Sequence, residues 1–255
     1  MHPQVQPALT GAPEVSIVLP CYNEEGSLPP LLDEIEEAMA RVGRPFEVLA
    51  VDDKSTDRTL EVLLGLQRRH GALRVLRHEM NCGESAAFAT GFAKVRGEVV
   101  ITMDSDQQND PADIPALLAA LEGVDLVCGV RRKRRDTWVK RASSKIANRF
   151  RDAVTGVPVT DAGCTFRAIR RAVLAELPVF NGMHRFIPTL LRLQGFTVVE
   201  VPVNHRPRRA GLSKYGIGNR AWRGLVDCFA MRWFRRRVVP GRRALPEAAP
   251  PGGRP

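Results

Sequence analysis

Two carboxylates on alternate residues, Asp104 and Asp106, follow directly after the apolar run of residues 99–103. A short β-branched run that ends in polar turn residues predicts a buried strand, so both carboxylates and Gln108 are expected on a loop at its carboxyl edge. Open α/β sheets bind ligands at that edge. Oxygen ligands with open coordination positions suit Mg²⁺ or Mn²⁺ that carries the phosphates of a nucleotide. The alternative is that the acidic pair only caps a turn or a helix.

Two other predicted strands also end in polar residues. The strand at residues 15–19 leads into the segment 20–25 (PCYNEE), without the glycine fingerprint that a dinucleotide-binding fold needs. The strand at residues 47–51 ends in Asp52 and Asp53. The pattern argues against a dehydrogenase and predicts that carboxylates from several strand ends meet at one ligand site.

The order of elements predicts one domain. Strands that alternate with helical patterns indicate an α/β fold with a single, mainly parallel sheet flanked by helices, and 255 residues suffice for a sizeable core. Segments rich in Pro, Ala, Gly and Arg at both ends lack apolar periodicity. We therefore expect a flexible tail over residues 1–13, a catalytic domain over 14–218, a basic amphipathic helix over 219–237 and a disordered tail over 238–255.

The cysteines and the N-terminal residues predict a cytoplasmic location. The first residues lack the apolar region of a secretory signal, and the five cysteines are odd in number without a C-x-x-C spacing. This spacing gives no support for zinc binding or thiol redox chemistry. No run of about 18 apolar residues that could span a membrane occurs in the sequence.

The net charge of +10 predicts an anionic partner, with basic clusters at residues 131–135 and 232–237. No nucleic-acid-binding module is recognisable, so nucleic acid is not expected. An anionic membrane surface is the other candidate, because it attracts a polybasic segment by about 1 kcal/mol per Lys or Arg. Helical spacing aligns six apolar residues beside the second cluster: Trp222, Leu225, Val226, Phe229, Ala230 and Trp233. Such a stripe either packs on the core or lies at a membrane interface.

Five ordered segments resemble the family 2 glycosyltransferases with a GT-A fold, most closely the dolichyl-phosphate or polyprenyl-phosphate mannosyltransferase branch. They are LPCYNEEGSL (19–28), VDDKSTDRT (51–59), NCGESAAFATGF (81–92), MDSDQQNDP (103–111) and HRPRRAGLSKYG (205–216). The resemblance implies metal-dependent transfer, with inversion, of a sugar from a nucleotide-diphosphate sugar to a polyprenyl or dolichyl phosphate. It favours mannose from GDP-mannose and either Mg²⁺ or Mn²⁺.

The same resemblance implies roles for individual residues. The nucleoside pocket would be lined by Pro20, Tyr22, Glu24, Val51 and Asp53. The metal would be bound by Asp104, Asp106 and Gln108. Donor or acceptor phosphates would be held by Arg131, Arg208 and Lys214. Lys54 departs from the family, which commonly has glycine after the paired aspartates.

Asp161 is the third candidate catalytic residue besides Asp104 and Asp106, and its role stays open. In related transferases an acidic residue here lies near the acceptor, where it would be the general base for a hydroxyl. A phosphate acceptor is already ionised, so Asp161 would instead orient the acceptor or bind Arg167.

Two functions other than sugar transfer to a lipid phosphate stay open. The alternatives are an enzyme of the same fold that acts on a saccharide or other hydroxyl, and a nonenzymatic basic protein that binds membranes or nucleic acid. Many members of the resembled branch carry transmembrane helices beyond the region that matches residues 219–237. We therefore expect peripheral association with the cytoplasmic face of an anionic membrane, and a membrane-protein partner is a further expectation.

Overall fold

The computed structural model describes residues 11–131, 152–207 and 217–237, with side chains in the last range from residue 226 onward. Seven strands lie within these residues: β1 Val15–Cys21, β2 Phe46–Asp52, β3 Leu73–Arg77, β4 Val99–Thr102, β5 Leu126–Arg131, β6 Arg167–Arg170 and β7 Val198–Val203. The α-helices of the described residues are α1 Leu28–Val42, α2 Thr59–Gln67, α3 Glu84–Phe92, α4 Ile114–Ala120, α5 Ile187–Leu193 and α6 Ile217–Arg237. Single-turn or short 3₁₀ segments span Pro111–Asp113, Arg171–Glu176 and Met183–Arg185.

The strands form one mixed sheet in the order β3-β2-β1-β4-β6-β5-β7. Strand β6 runs antiparallel to β4 and β5, and the other neighbouring strands are parallel. All four residues of β4 and six of the seven residues of β1 are buried, as expected for central strands covered on both faces. The prediction of a single, mainly parallel sheet flanked by helices is confirmed.

Helix α1 illustrates how the sequence pattern covers the sheet. Its buried apolar residues recur at helical spacing, at Leu28, Leu31, Leu32, Ile35 and Met39. The helix ends at Gly43, which has a φ of +70° and donates its N–H to the Met39 carbonyl. Glycine adopts this left-handed conformation without a Cβ penalty, so the chain can turn there into β2.

The carboxyl ends of β1, β2 and β4 meet at one edge of the sheet. The N–H of Asp53 donates to the Cys21 carbonyl at 2.8 Å, and the N–H of Met103 donates to the Val18 carbonyl at 3.2 Å. Strand β1 lies between β2 and β4, so the chain order reverses at β1 and opens a crevice there. The polar segments that follow the three strands therefore border one crevice.

Helix α6 presents the described part of its predicted apolar stripe outward. Cys228 and Met231 face the protein and are buried in a core cluster with residues of β5, β6 and α5. Val226, Phe229 and Trp233 are 50%, 55% and 63% exposed. The described part of the stripe therefore does not pack on the core, whereas the side chains of Trp222 and Leu225 lie outside the described residues. None of the helices in the described ranges is both long and apolar enough to cross a membrane.

Candidate active site

The loop after β4 brings Asp104, Asp106 and Gln108 into one short segment. The backbone N–H of Asp104 donates to Asn109 Oδ1 at 3.0 Å, and the N–H of Gln108 donates to Asp106 Oδ1 at 3.0 Å. The hydroxyl of Ser105 donates to the Pro20 carbonyl at 2.7 Å, which ties the loop to the end of β1. These bonds close the loop around its own acidic residues.

The electrostatics of this loop suit a divalent cation. Burial and the neighbouring Asp106 carboxylate raise the pKa of Asp104 to about 6, against the opposing effect of Arg131 and Arg167. A cation between two such carboxylates relieves their repulsion, and oxygen ligands match Mg²⁺ and Mn²⁺. The residues present therefore fit the predicted metal.

Arg131 and Asp161 form a two-pronged ion pair next to this loop. The Nε and Nη2 atoms of Arg131 each donate to one oxygen of Asp161 at 2.7 Å, and the side chains are only 16% and 8% exposed. Burial alone would lower the pKa of Arg131, but the hydrogen bonds to Asp161 and the charge of Asp161 raise this pKa above its usual range. Gly163 passes so close that a Cβ there would lie 3.0 Å from Arg131 Nη2.

Asp161 pairs with Arg131, whereas the guanidinium of Arg167, the alternative partner considered for Asp161, donates to main-chain carbonyls. Its Nη1 donates to the His184 carbonyl at 2.6 Å, and its Nη2 donates to the Ala162 carbonyl at 3.5 Å. The side chain is fully buried, and its Nε has no hydrogen-bond partner among the described residues. Arg167 is therefore a buried cation whose charge acts on Asp104 and whose contacts hold the turn at Met183–Arg185.

Arg206 is a site residue that sequence reasoning missed. Its N–H donates to the Gln108 carbonyl at 2.9 Å, and its Nη2 donates to Asp110 Oδ1 at 2.6 Å. Its other amino group binds Glu34. The chain that leaves β7 is thereby fixed beside the acidic loop. The predicted phosphate ligands Arg208 and Lys214 lie outside the described residues, but their segment begins two residues after this anchor.

The predicted nucleoside residues have different surroundings. Pro20 and Tyr22 are half-buried at the end of β1. Glu24 is buried, and its carboxylate accepts a hydrogen bond from the Ser27 hydroxyl at 2.8 Å. Val51 has no exposed surface because its side chain lies in the core beside β1. A contact of Val51 with a nucleoside stays a prediction.

Asp53 is buried and holds the loop that precedes α3. One carboxylate oxygen accepts the N–H of Cys82 at 2.8 Å, and the other accepts the N–H of Gly83 at 2.7 Å. His78 Nδ1 lies 2.7 Å from the first of these oxygens. Lys54 follows with a φ of +60°, the left-handed conformation that favours glycine, so the change from the family's glycine leaves the turn in place. A contact of Asp53 with a nucleoside stays a prediction.

Comparison with known proteins identifies relatives along most of the chain. The model of glycosyl transferase family 2 matches residues 16–178. Dodecaprenyl-phosphate galacturonate synthase of Rhizobium johnstonii is 36% identical over 229 residues, which are 88% of this chain and 68% of that protein. Undecaprenyl-phosphate 4-deoxy-4-formamido-L-arabinose transferase of Aeromonas hydrophila is 38% identical over 205 residues, 80% of this chain and 63% of that protein. The chain thus spans about two thirds of the length of these relatives.

Solved structures share the fold at lower sequence identity. Glucosyl-3-phosphoglycerate synthase from Mycobacterium tuberculosis, in complex with Mn²⁺, UDP-glucose and phosphoglyceric acid, matches with a TM-score of 0.68 at 21% identity, over 87% of this chain and 80% of that one. The same enzyme with Mg²⁺ and UDP gives a TM-score of 0.65 at 23% identity, over 86% and 80%. The predicted GT-A fold is confirmed, and the chain belongs to glycosyl transferase family 2.

Proposed function

We propose that this glycosyltransferase moves a sugar, with inversion, from a nucleotide-diphosphate sugar to a polyprenyl phosphate. The observation that carries the proposal is the junction of the acidic loop, the Arg131–Asp161 pair and the segment fixed by Arg206 at one edge of the sheet. The acidic loop suits a divalent cation that binds the donor diphosphate, and Arg131 suits a phosphate. The two bacterial relatives support the acceptor class, since both names include a polyprenyl phosphate although the sugars differ.

Asp104, Asp106 and Gln108 would hold Mg²⁺ or Mn²⁺. When bound, the cation would supply Lewis-acid stabilisation of the charge that develops on the departing nucleoside diphosphate. Complexes of the structural neighbour with either metal and UDP support this assignment. The protein's own contribution is to orient the carboxylates through the Asn109 and Gln108 hydrogen bonds.

Asp161 has the surroundings of a positioning residue. Both of its oxygens accept hydrogen bonds from Arg131, so the guanidinium is fixed in one orientation before a ligand arrives. A phosphate oxygen of the acceptor carries negative charge at neutral pH and attacks without prior removal of a proton. In this proposal Arg131 aligns a phosphate, and Asp161 aligns Arg131. A hydroxyl acceptor would need a base, and this geometry does not favour Asp161 for that role.

The acceptor class is tested by competition between lipids. A short polyprenyl phosphate and the matching neutral polyprenol are offered together with a labelled nucleotide sugar. The proposal predicts label in the phosphate lipid and none in the alcohol. Label in the alcohol or in a saccharide, with none in the phosphate lipid, would contradict it.

The sequence resemblance and the two bacterial relatives point to different donor sugars. The resemblance favours GDP-mannose, whereas the names of the two relatives contain galacturonate and 4-deoxy-4-formamido-L-arabinose. We therefore propose a nucleotide-diphosphate sugar as the donor class. Half-buried Pro20 and Tyr22, together with the buried Glu24, Val51 and Asp53, would form its nucleoside pocket.

We further propose that α6 rests on an anionic membrane surface at the cytoplasmic face. Its outward apolar residues Val226, Phe229 and Trp233 lie beside four exposed arginines, namely Arg232, Arg235, Arg236 and Arg237. Residues 228–237 contain no acidic residue. Arg232, Arg235 and Arg236 also line a groove with Ala153 and Val154, where an anionic headgroup would fit. Apolar insertion and charge attraction would thus act at the same surface.

Vesicle binding tests this surface with a matched control. Trp233→Glu should abolish most of the binding to vesicles that contain acidic phospholipid. Leu64→Glu changes another exposed apolar residue, 44% exposed and on α2, and should bind like the unmodified chain. A second variant lacks residues 232–237. If both this variant and Trp233→Glu bind the vesicles as well as the unmodified chain does, the membrane role is refuted. A membrane-protein partner stays a prediction.

A further inference from the structure

Besides the acidic loop, three side chains of types that can bind a metal ion lie together. Asp53 follows β2, His78 follows β3, and Cys82 precedes α3. One carboxylate oxygen, one imidazole nitrogen and the thiol sulfur lie within 4.8 Å of one another. The sheet joins these three residues from separate parts of the sequence, which is why cysteine spacing alone gave no zinc signal.

We propose that Asp53, His78 and Cys82 bind Zn²⁺. Thiolate and imidazole ligands favour zinc over Mg²⁺ and Mn²⁺, which prefer the oxygen ligands of the acidic loop. Three protein ligands leave a fourth tetrahedral position to water. Asp53 is buried and the His78 side chain is 11% exposed, whereas Cys82 is exposed. The cluster therefore has a fixed base and one side from which an ion can enter.

The hydrogen bonds around the cluster allow the His78 ring to release a nitrogen, and the Cys82 thiol its sulfur, for binding to the ion. His78 Nδ1 lies 2.7 Å from Asp53, and its Nε2 lies 2.8 Å from the Thr90 hydroxyl. The hydroxyl can donate to Nε2 while Nδ1 carries the proton, or accept from Nε2 when Nδ1 binds a metal. The Cys82 thiol, which donates to the Met80 carbonyl at 3.4 Å, would release its proton to solvent as the S–Zn bond forms.

The backbone supports the same arrangement. The N–H groups of Cys82 and Gly83 bind the two oxygens of Asp53, so the thiol is held beside the carboxylate. Thr90 would orient His78 as an outer partner, a common arrangement for metal-binding histidines. The zinc site shares Asp53 with the proposed nucleoside pocket but none of its ligands with the acidic loop, so its loss would leave the proposed ligands of Mg²⁺ or Mn²⁺ in place.

Cobalt provides a direct probe, because a thiolate bound to Co²⁺ gives a charge-transfer absorption that carboxylates do not. The full chain is titrated with Co²⁺ in excess Mg²⁺, and Zn²⁺ is then added. All five cysteines lie in the described part of the chain, and only Cys82 is exposed. We expect one equivalent of Co²⁺ with a thiolate band that Zn²⁺ removes.

Variants and a thiol assay test whether Cys82 and His78 are the ligands. Cys82→Ser should abolish the band. Cys82→Ser and His78→Asn should each weaken Zn²⁺ binding by about a hundredfold or more. Loss of a residue that only orients a ligand typically weakens metal binding by about 10- to 100-fold. Asp106→Asn should leave the band unchanged. On the unmodified chain, Zn²⁺ should protect Cys82 from alkylation and Mg²⁺ should not. A missing band, a band that survives Cys82→Ser, or alkylation unaffected by Zn²⁺ would overturn the proposal.

Discussion

Replacing Asp161 with asparagine tests whether this residue orients Arg131 or removes a proton. The change keeps the shape of the side chain but removes its charge and one of the acceptors for the two 2.7 Å hydrogen bonds. A hydrogen bond to a charged group contributes about 1.5–3 kcal/mol. Since about 1.4 kcal/mol corresponds to a factor of ten, kcat/KM for the lipid phosphate should fall by roughly 10- to 150-fold.

A double-mutant cycle distinguishes the two roles where the size of the loss does not. Arg131→Lys cannot form the two-pronged pair, so it should cause a loss similar to that of Asp161→Asn. If Asp161 acts through Arg131, the double variant should be no slower than the slower single variant. The pH profile of Asp161→Asn should keep the shape seen with the unmodified enzyme. Additive losses, together with disappearance of the acidic limb of the profile, would refute the positioning role and identify Asp161 as a general base.

Three other changes probe the metal loop and the fold. Asp106→Asn should lower turnover by at least about a hundredfold in a transfer assay, the usual cost of losing one electrostatic stabiliser, and near-normal turnover would refute its role. Because Asp104 has a pKa of about 6, protons should compete with Mn²⁺, so calorimetry should give an affinity that is constant above that pH and falls below it. Despite the opposing effect of burial, hydrogen bonds from Ser16, Arg74 and Arg96 lower the pKa of Glu47. Its stabilisation should therefore be complete above the ordinary pKa of 4.5 and lost as pH falls through the lowered value. Glu47→Gln should cost about 3 kcal/mol in denaturant unfolding at neutral pH and flatten this acid dependence, whereas an unchanged acid dependence would contradict the assignment.

The positions of the acidic strand ends could be predicted because apolar runs and polar turns mark a strand and its end. Residues 99–103 predict β4, and the structure places Asp104 and Asp106 directly after it. The partners of these residues could not be predicted in the same way. Arg131 pairs with Asp161 across 30 positions, and Arg206 reaches Asp110 across 96. Only the order of strands in the sheet brings such residues together.

The orientation of helix α6 could not be predicted from its sequence pattern. Its periodicity predicted an apolar stripe, but periodicity does not say which way the stripe faces. The inward side is decided by Cys228 and Met231, which pack against β5, β6 and α5. Phe229 and Trp233, the more obvious core candidates by size, are left exposed. Orientation follows from packing with distant elements, and this information is absent from the local sequence.

The most direct test of the central claim is transfer of labelled sugar to a short polyprenyl phosphate. GDP-mannose, UDP-glucose, UDP-N-acetylglucosamine and UDP-galacturonate are offered separately, with Mg²⁺ or Mn²⁺ and again with a chelator. We predict that at least one donor labels the lipid, that the label needs the metal, and that Asp106→Asn loses it. An absence of lipid label with every donor, while nucleotide sugar still binds, would contradict the proposed acceptor.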